Sequence, residues 1–183
     1  MKGRSIILVA SSFLFFSACA QHGPLSAEQI MHQAFQRAVK EKRNVMVIFH
    51  ASWCGWCRKM DSSINDKNCR KFFDDNFVIA HLVVNESPDK KNLENPGVYE
   101  FRAKYHGENL GLPSWLIFDK DGSLLADSQI RPEGANIATE GENIGCPATP
   151  KEVAYFINVL KKTSHLDATE EAAIERRFLK NGE

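Results

Sequence analysis

The sequence lacks an excess of charge of either sign. Its 183 residues include 23 lysines and arginines and 23 aspartates and glutamates, so the formal net charge is zero. The basic residues form no stripe along the chain. Because proteins that bind nucleic acid or acidic polymers present a positive surface, we expect neither class of partner.

The sequence also lacks a long hydrophobic run, an internal repeat and a low-complexity segment. Its longest apolar run, residues 6–16, has eleven residues and is too short to cross a bilayer as a permanent helix. The remaining composition, 43% hydrophobic and 25% charged, is typical of one globular domain with a core of ordinary size.

The first twenty residues have the composition of an export signal. Lys2 and Arg4 precede the apolar run, and the small residues Ala18 and Ala20 follow it. A buried N-terminal helix is the alternative. We expect residues 1–20 to be a signal peptide and the protein to be exported, either to the periplasm or to the envelope surface that faces away from the cytoplasm.

Two kinds of cleavage fit the end of this segment. Ordinary signal peptidase reads small residues, here Ala18 and Ala20, and would cut after Ala20. Residues 16–19 also resemble a bacterial lipobox, which would make a lipidated Cys19 the first residue, although Phe16 stands where leucine is usual. A lipid on Cys19 is the one membrane contact that we expect. Both alternatives stay open.

Hydrophobic periodicity and capping residues predict one α/β domain. Ser26 with Gln29 and Thr149 with Glu152 form the capping boxes that begin helices. We expect helices at about residues 27–42, 66–75, 96–105, 150–162 and 167–180, and strands at about 44–50, 77–84, 115–118 and 123–128.

The expected elements divide the chain after the signal into two parts. Residues 24–165 form the domain, and residues 166–183 form a C-terminal helical extension. Within the domain, residues 85–97 are a polar insertion that we expect on the surface, and residues 131–148 are a loop rich in glycine and asparagine.

Two cysteines lie three residues apart at the end of the first strand. Cys54 and Cys57 follow residues 44–50, and the next helix is expected to begin at Cys54. The free N–H groups and the dipole at a helix N-terminus favour a thiolate, which is the species that attacks disulfides. The pattern therefore predicts a reversible, redox-active disulfide.

Other uses of such a pair fit less well. A c-type haem site needs histidine directly after the second cysteine, where Arg58 stands. A zinc site needs a second close pair of ligands, and Cys69 and Cys146 lie far apart in sequence, so we expect no metal. A purely structural disulfide between Cys54 and Cys57 remains the alternative.

The residues around these cysteines resemble those of the thioredoxin superfamily. Residues 53–57 read Trp-Cys-Gly-Trp-Cys after a buried strand, and residues 111–114 read Gly-Leu-Pro-Ser before a later strand. The chain is most similar to exported thioredoxin-like proteins. The resemblance covers about residues 27–162 and implies a three-layer sandwich, in which helices flank a central mixed sheet of about four strands.

The resemblance implies a thiol–disulfide oxidoreductase that needs no bound cofactor. Cys54 would be the nucleophile and Cys57 the resolving cysteine, and Pro113 would follow a cis peptide bond and face the disulfide. The residues implied to contact the substrate are Trp53, Gly55, Trp56, Leu112 and Pro113.

The implied substrates are thiols and disulfides of exported proteins. A membrane-embedded redox protein would supply or remove the electrons. A module of the same fold that binds or chaperones clients without redox turnover is the alternative function.

Two positions depart from the thioredoxin pattern. Ile48 stands where thioredoxins have a buried aspartate that accepts the proton of the resolving thiol, and His50 and His81 are candidates to replace it. Trp56 stands where thioredoxins have proline. Because the residues between the cysteines tune the redox potential, we assign no direction to the exchange.

The last two cysteines have two alternatives. Export permits a second disulfide between Cys69 and Cys146. Otherwise Cys69 is a buried free thiol beside Phe72 and Phe73, and Cys146 is a more exposed thiol in its glycine-rich loop.

Overall fold

The computed structural model describes residues 23–183. The expectations for residues 1–20, which include the signal peptide and the lipidation of Cys19, lie outside the described residues. Among the helices of residues 23–183, none has both the length and the apolar character needed to cross a membrane.

Helices and strands are mixed along most of the chain, and helices end it. The helices are α1 (Ala27–Glu41), α2 (Gly55–Ile64), α3 (Arg70–Asn76), α4 (Val98–Ala103), α5 (Pro150–Thr163) and α6 (Ala168–Leu179). The strands are β1 (Asn44–His50), β2 (Phe77–Val83), β3 (Ser114–Phe118), β4 (Leu124–Asp127), β5 (Gln129–Ile130) and β6 (Glu142–Asn143). Short 3-10 helices cover Pro88–Leu93 and Lys180–Gly182.

Four of the strands form the mixed central sheet that the resemblance predicts. Their order is β2-β1-β3-β4, with β1 parallel to β2 and the other neighbours antiparallel. Ile48 of β1 lies between His81 of β2 and Trp115 of β3. The central position of β1 explains why its sequence is an almost continuous apolar run.

Helices cover both faces of this sheet, which confirms the three-layer architecture. Alternate residues of β1 point to opposite faces. Val45 and Val47 pack toward α1 and α4, while Met46 and Ile48 pack into a second core with α2, α3, α5 and α6. The strand β1 therefore belongs to both cores, and its carboxyl end carries the cysteine turn.

Capping boxes begin three of the helices, two of them at the residues that the sequence predicts. The capping boxes of α1 and α5 are formed, and Asp167 with Glu170 forms a third at α6. These side chains bind N–H groups that a helix leaves without partners in its first turn.

Two helices begin later than predicted, because the expected start residues make other hydrogen bonds. Asn95 accepts the Val83 N–H at 2.6 Å and donates to the Leu25 carbonyl at 2.8 Å, so α4 begins only at Val98, after Gly97. Asp66 accepts the N–H of Asn68 at 2.9 Å in a turn that precedes α3.

Candidate active site

The cysteine pair lies at the start of α2, as predicted. Cys54 is the N-cap residue of α2, and a disulfide joins it to Cys57 with the two Cα atoms 5.3 Å apart. The Cys57 N–H donates to Cys54 Sγ at 3.0 Å. Both cysteines are only 2% exposed. A sulfur that receives a helix N–H is stabilised as a thiolate, so the local geometry favours Cys54 as the reactive thiol.

The Leu112-Pro113 loop contacts the disulfide. The peptide bond between these two residues is cis, as the resemblance implied. Leu112 packs against the small buried cluster of Ala51, Cys54 and Cys57. Pro113 lies next to it and lines a groove together with Trp56. The structure thus brings together residues that are more than fifty positions apart in sequence.

Two tryptophans, each directly before one of the two cysteines in sequence, are both exposed. Trp53 is 56% exposed and Trp56 is 47% exposed, which is unusual for such large apolar side chains. The Trp53 indole N–H donates to the Asn85 carbonyl at 2.8 Å, and Lys59 Nζ lies 4.7 Å from the centre of the Trp56 ring. These contacts orient two aromatic surfaces beside the disulfide.

A buried carboxylate holds the turn that leads into Cys54. Glu86, only 4% exposed, accepts hydrogen bonds from the N–H and the hydroxyl of Ser52, at 2.5 and 2.8 Å. Arg58 donates to the Ser52 carbonyl at 3.1 Å. Glu86 is not recognisable as a site residue from the sequence, since its one distinguishing feature is its place in the polar insertion directly after a buried strand.

The two candidate proton acceptors lie together near α2. The rings of His50 and His81 are 5.1 Å apart, and His81 Nε2 lies 2.9 Å from Asp61 Oδ1. Burial and, after it, the neighbouring His81 lower the pKa of His50, while Asp61 and Glu86 act in the opposite direction. Within residues 23–183, no three histidine, cysteine or acidic side chains are grouped closely enough to hold a metal ion.

The second disulfide is absent from the structure. Cys69 and Cys146 are both free and buried, which agrees with the alternative of two free thiols, but Cys146 is buried where that alternative expected a more exposed thiol. Different parts of the C-terminal segment enclose the two thiols. Cys69 Sγ contacts the Ala173 carbonyl, whereas Cys146 Sγ accepts from Asn181 Nδ2. The two contacting residues, Ala173 and Asn181, are eight positions apart along α6 and the short helix that follows it, which corresponds to a separation of roughly 12 Å.

Burial also makes these two thiols poor nucleophiles. It raises the pKa of Cys69 to about 11 and the pKa of Cys146 to about 12. Because the thiolate is the reactive species, neither Cys69 nor Cys146 is suited to disulfide exchange at neutral pH.

A family model described as "Thioredoxin-like" matches residues 26–120, just over half of the chain. No curated protein sequence matches the chain significantly.

Several solved structures are similar to the chain over between about half and nine tenths of its length. A disulphide isomerase from Xylella fastidiosa Temecula1 is 18% identical, with 90% of this chain and 100% of that chain covered and a TM-score of 0.47. A DsbH oxidoreductase is 18% identical, with 87% and 95% covered and a TM-score of 0.43. A thioredoxin from Thermus thermophilus is 22% identical, with 51% and 61% covered and a TM-score of 0.35.

Proposed function

The chain belongs to the thioredoxin-like family, and from this premise we propose that it exchanges disulfides with exported protein substrates through Cys54 and Cys57. The observation that carries the proposal is the disulfide at the first turn of α2, with the cis Leu112-Pro113 loop packed beside it. A family fold with this pair intact supports a thiol–disulfide oxidoreductase.

The exchange proceeds in two steps from the reduced protein. The Cys54 thiolate attacks one sulfur of a client disulfide, forms a mixed disulfide, and releases the other client sulfur as a thiolate that takes up a proton. Cys57 then loses its proton and attacks Cys54 Sγ, which releases the second client thiolate and restores the Cys54–Cys57 disulfide. Two electrons pass to the client, and the reverse sequence oxidises a client dithiol.

The surroundings of the pair divide these roles between the cysteines. Cys54 is the N-cap residue, and its sulfur receives the N–H of Cys57, which lowers the cost of the thiolate. Cys57 lies one turn inside α2 and is suited to resolving the mixed disulfide. Trp53, Gly55, Trp56, Leu112 and Pro113 surround the pair as the surface that receives the client.

The place of action and the electron partner belong to the same proposal. We propose that residues 1–20 direct export, that Cys19 is the site of a lipid anchor if the lipobox is used, and that a membrane-embedded redox protein renews the active pair. Mass spectrometry of the mature protein tests the first two points, because cleavage after Ala20 and lipidation of Cys19 give different N-terminal masses.

Reduction of insulin by dithiothreitol tests the proposed chemistry. We expect the wild-type protein to accelerate it at least about ten-fold over the Cys54→Ser variant, because that substitution removes the nucleophile. Cys57→Ser should accumulate a mixed disulfide with the client, since its resolving thiol is gone. Cys69→Ser, which changes a free thiol away from the pair, should keep wild-type turnover.

Wild-type turnover equal to that of Cys54→Ser would overturn the enzymatic function and leave a binding module. Titration of the wild-type pair in glutathione buffers gives its potential and assigns the direction of exchange.

A further inference from the structure

The amide side chain of Asn143 holds both ends of the Leu112-Pro113 loop. Asn143 Nδ2 donates to the Pro113 carbonyl at 3.2 Å and to the Gly111 carbonyl at 3.3 Å, and Oδ1 accepts the Gly145 N–H at 3.2 Å. An amide NH2 has two hydrogens, so it can serve both carbonyls at once. One side chain thus binds the two carbonyls on either side of Leu112.

The segment that carries Asn143 is itself firmly attached. Asn143 pairs with Gln129 across the small β5–β6 ribbon, and the Ile144 N–H donates to the Ser128 carbonyl at 2.8 Å. The Trp115 indole donates to the Gly145 carbonyl at 2.9 Å. These contacts join the ribbon to the end of the central sheet, so Asn143 has a defined position relative to β3.

Gly145 permits the close approach of this segment to the loop. Its φ is +52°, and a Cβ at this position would lie 2.9 Å from the Pro113 carbonyl oxygen. A side chain there would push the loop and the ribbon apart. The contact between Asn143 and the loop therefore depends on a glycine two residues later.

The loop held in this way offers main-chain groups to a ligand. Within residues 23–183, neither the N–H nor the carbonyl of Leu112 has a hydrogen-bond partner. Trp56, Leu112, Pro113 and Asn143 line the same groove, with Leu112 against the disulfide. An extended peptide lying in this groove can pair with Leu112, whereas a small dithiol needs no such contact.

We propose that Asn143 is a positioning residue for polypeptide clients. By binding the carbonyls of Gly111 and Pro113, it keeps the unpaired groups of Leu112 directed into the groove, where they pair with an extended segment of the client. The inference rests on the proposed function, whose client surface includes this loop, and adds the residue that holds the loop in place.

The test compares a protein substrate with a small one. Asn143→Asp keeps the size of the side chain but removes the donor, and Asn143→Ala removes the side chain. For both variants we expect KM for insulin to rise about five-fold or more with kcat within about two-fold, since binding of the client loses at least one hydrogen bond. The rate of reduction of the Cys54–Cys57 disulfide by dithiothreitol should stay within about two-fold of wild type.

Asn136→Ala is the matched control. Asn136 is an exposed asparagine in the same stretch, residues 131–148, and its side chain accepts the Ala138 N–H rather than contacting the Leu112-Pro113 loop. This variant should have the wild-type KM and the wild-type dithiothreitol rate.

Three outcomes overturn the inference. An unchanged KM in both Asn143 variants, an equal slowing of the insulin and dithiothreitol reactions, or loss of the folded state in both variants by circular dichroism would each assign Asn143 a merely structural role or none. A wild-type disulfide that dithiothreitol cannot reduce, or that does not accelerate insulin reduction, would instead be a failure of the proposed function, so the two failures are distinguishable.

Discussion

His50 lies where the end of β1 meets the active-site turn, and its ring is half-buried. Burial is the largest cause that lowers its pKa from the ordinary value of 6.5, and the neighbouring His81 is the second. The carboxylates that face it, Asp61 and Glu86, oppose the shift but do not reverse it. The folded protein therefore binds a proton at His50 less readily than the unfolded chain does.

This difference makes stability depend on pH. Below pH 6.5 the unfolded chain takes up a proton at His50 that the folded protein does not, so the free energy of unfolding should fall as the pH decreases from 6.5 toward the lowered pKa. His50→Gln should reduce this slope. Urea unfolding at pH 7.5, 6.5 and 5.5 measures it, with the exposed His32→Gln as the control. An unchanged slope in His50→Gln contradicts the prediction.

For single residues, sequence patterns identify those whose role is local and miss those whose role depends on partners distant in sequence. Cys54 and Cys57 are recognisable in the sequence because they lie three positions apart at the expected start of a helix. Glu86 acts on Ser52, 34 positions away, and Asn143 acts on the carbonyl of Pro113, 30 positions away. Nothing in the neighbouring sequence of either residue indicates that partner.

Among the helices and strands, α6 shows the same difference between a local feature, which the sequence predicts, and a distant partner, which it does not. Its cap and its apolar spacing predict a helix, but they do not predict what covers its apolar face. In the structure Ile174 and Phe178 are fully buried, and the Phe178 ring lies 5.0 Å from that of Phe156 in α5. Helix α6 thus completes the core beneath α2, the helix that carries the disulfide.

Truncation of this contact should destabilise the whole domain. Phe178→Ala removes a fully buried ring that also lies against Phe73, and we expect it to lower the free energy of unfolding by about 3–5 kcal/mol. Glu175→Ala, on the exposed face of the same helix, should change it by less than about 0.5 kcal/mol. Urea unfolding at constant pH measures both. Similar small losses in the two variants would show that α6 is peripheral.

For the whole molecule, the two cores share one sheet. Residues 45–49 of β1 are all buried, alternately in the core beside α1 and in the core beside α2. Alternate residues of β3 are divided in the same way, with Trp115 and Ile117 in the second core and Leu116 and Phe118 in the first. Because the two cores pack on opposite faces of the same strands, loss of one core should disrupt the strands that support the other. The domain should therefore unfold in a single transition.

The three tryptophans allow this cooperativity to be measured from one face of the sheet. Replacing the exposed Trp53 and Trp56 by Phe leaves the fully buried Trp115 as the sole tryptophan. In this background, Trp115 fluorescence and far-ultraviolet circular dichroism should give urea midpoints within about 0.2 M of each other.

A cavity on the opposite face then provides the decisive comparison. Phe118→Ala leaves a cavity in the core beside α1, where the Phe118 ring contacts Phe35 and Tyr105 at 5.8 and 5.1 Å between centroids. This substitution should lower the free energy of unfolding by about 3–5 kcal/mol. Because the strands are shared, the Trp115 fluorescence transition should shift by as much as the circular dichroism transition, although Trp115 lies across the sheet. A Trp115 midpoint that stays in place while the circular dichroism signal becomes biphasic would mean that the two cores unfold separately.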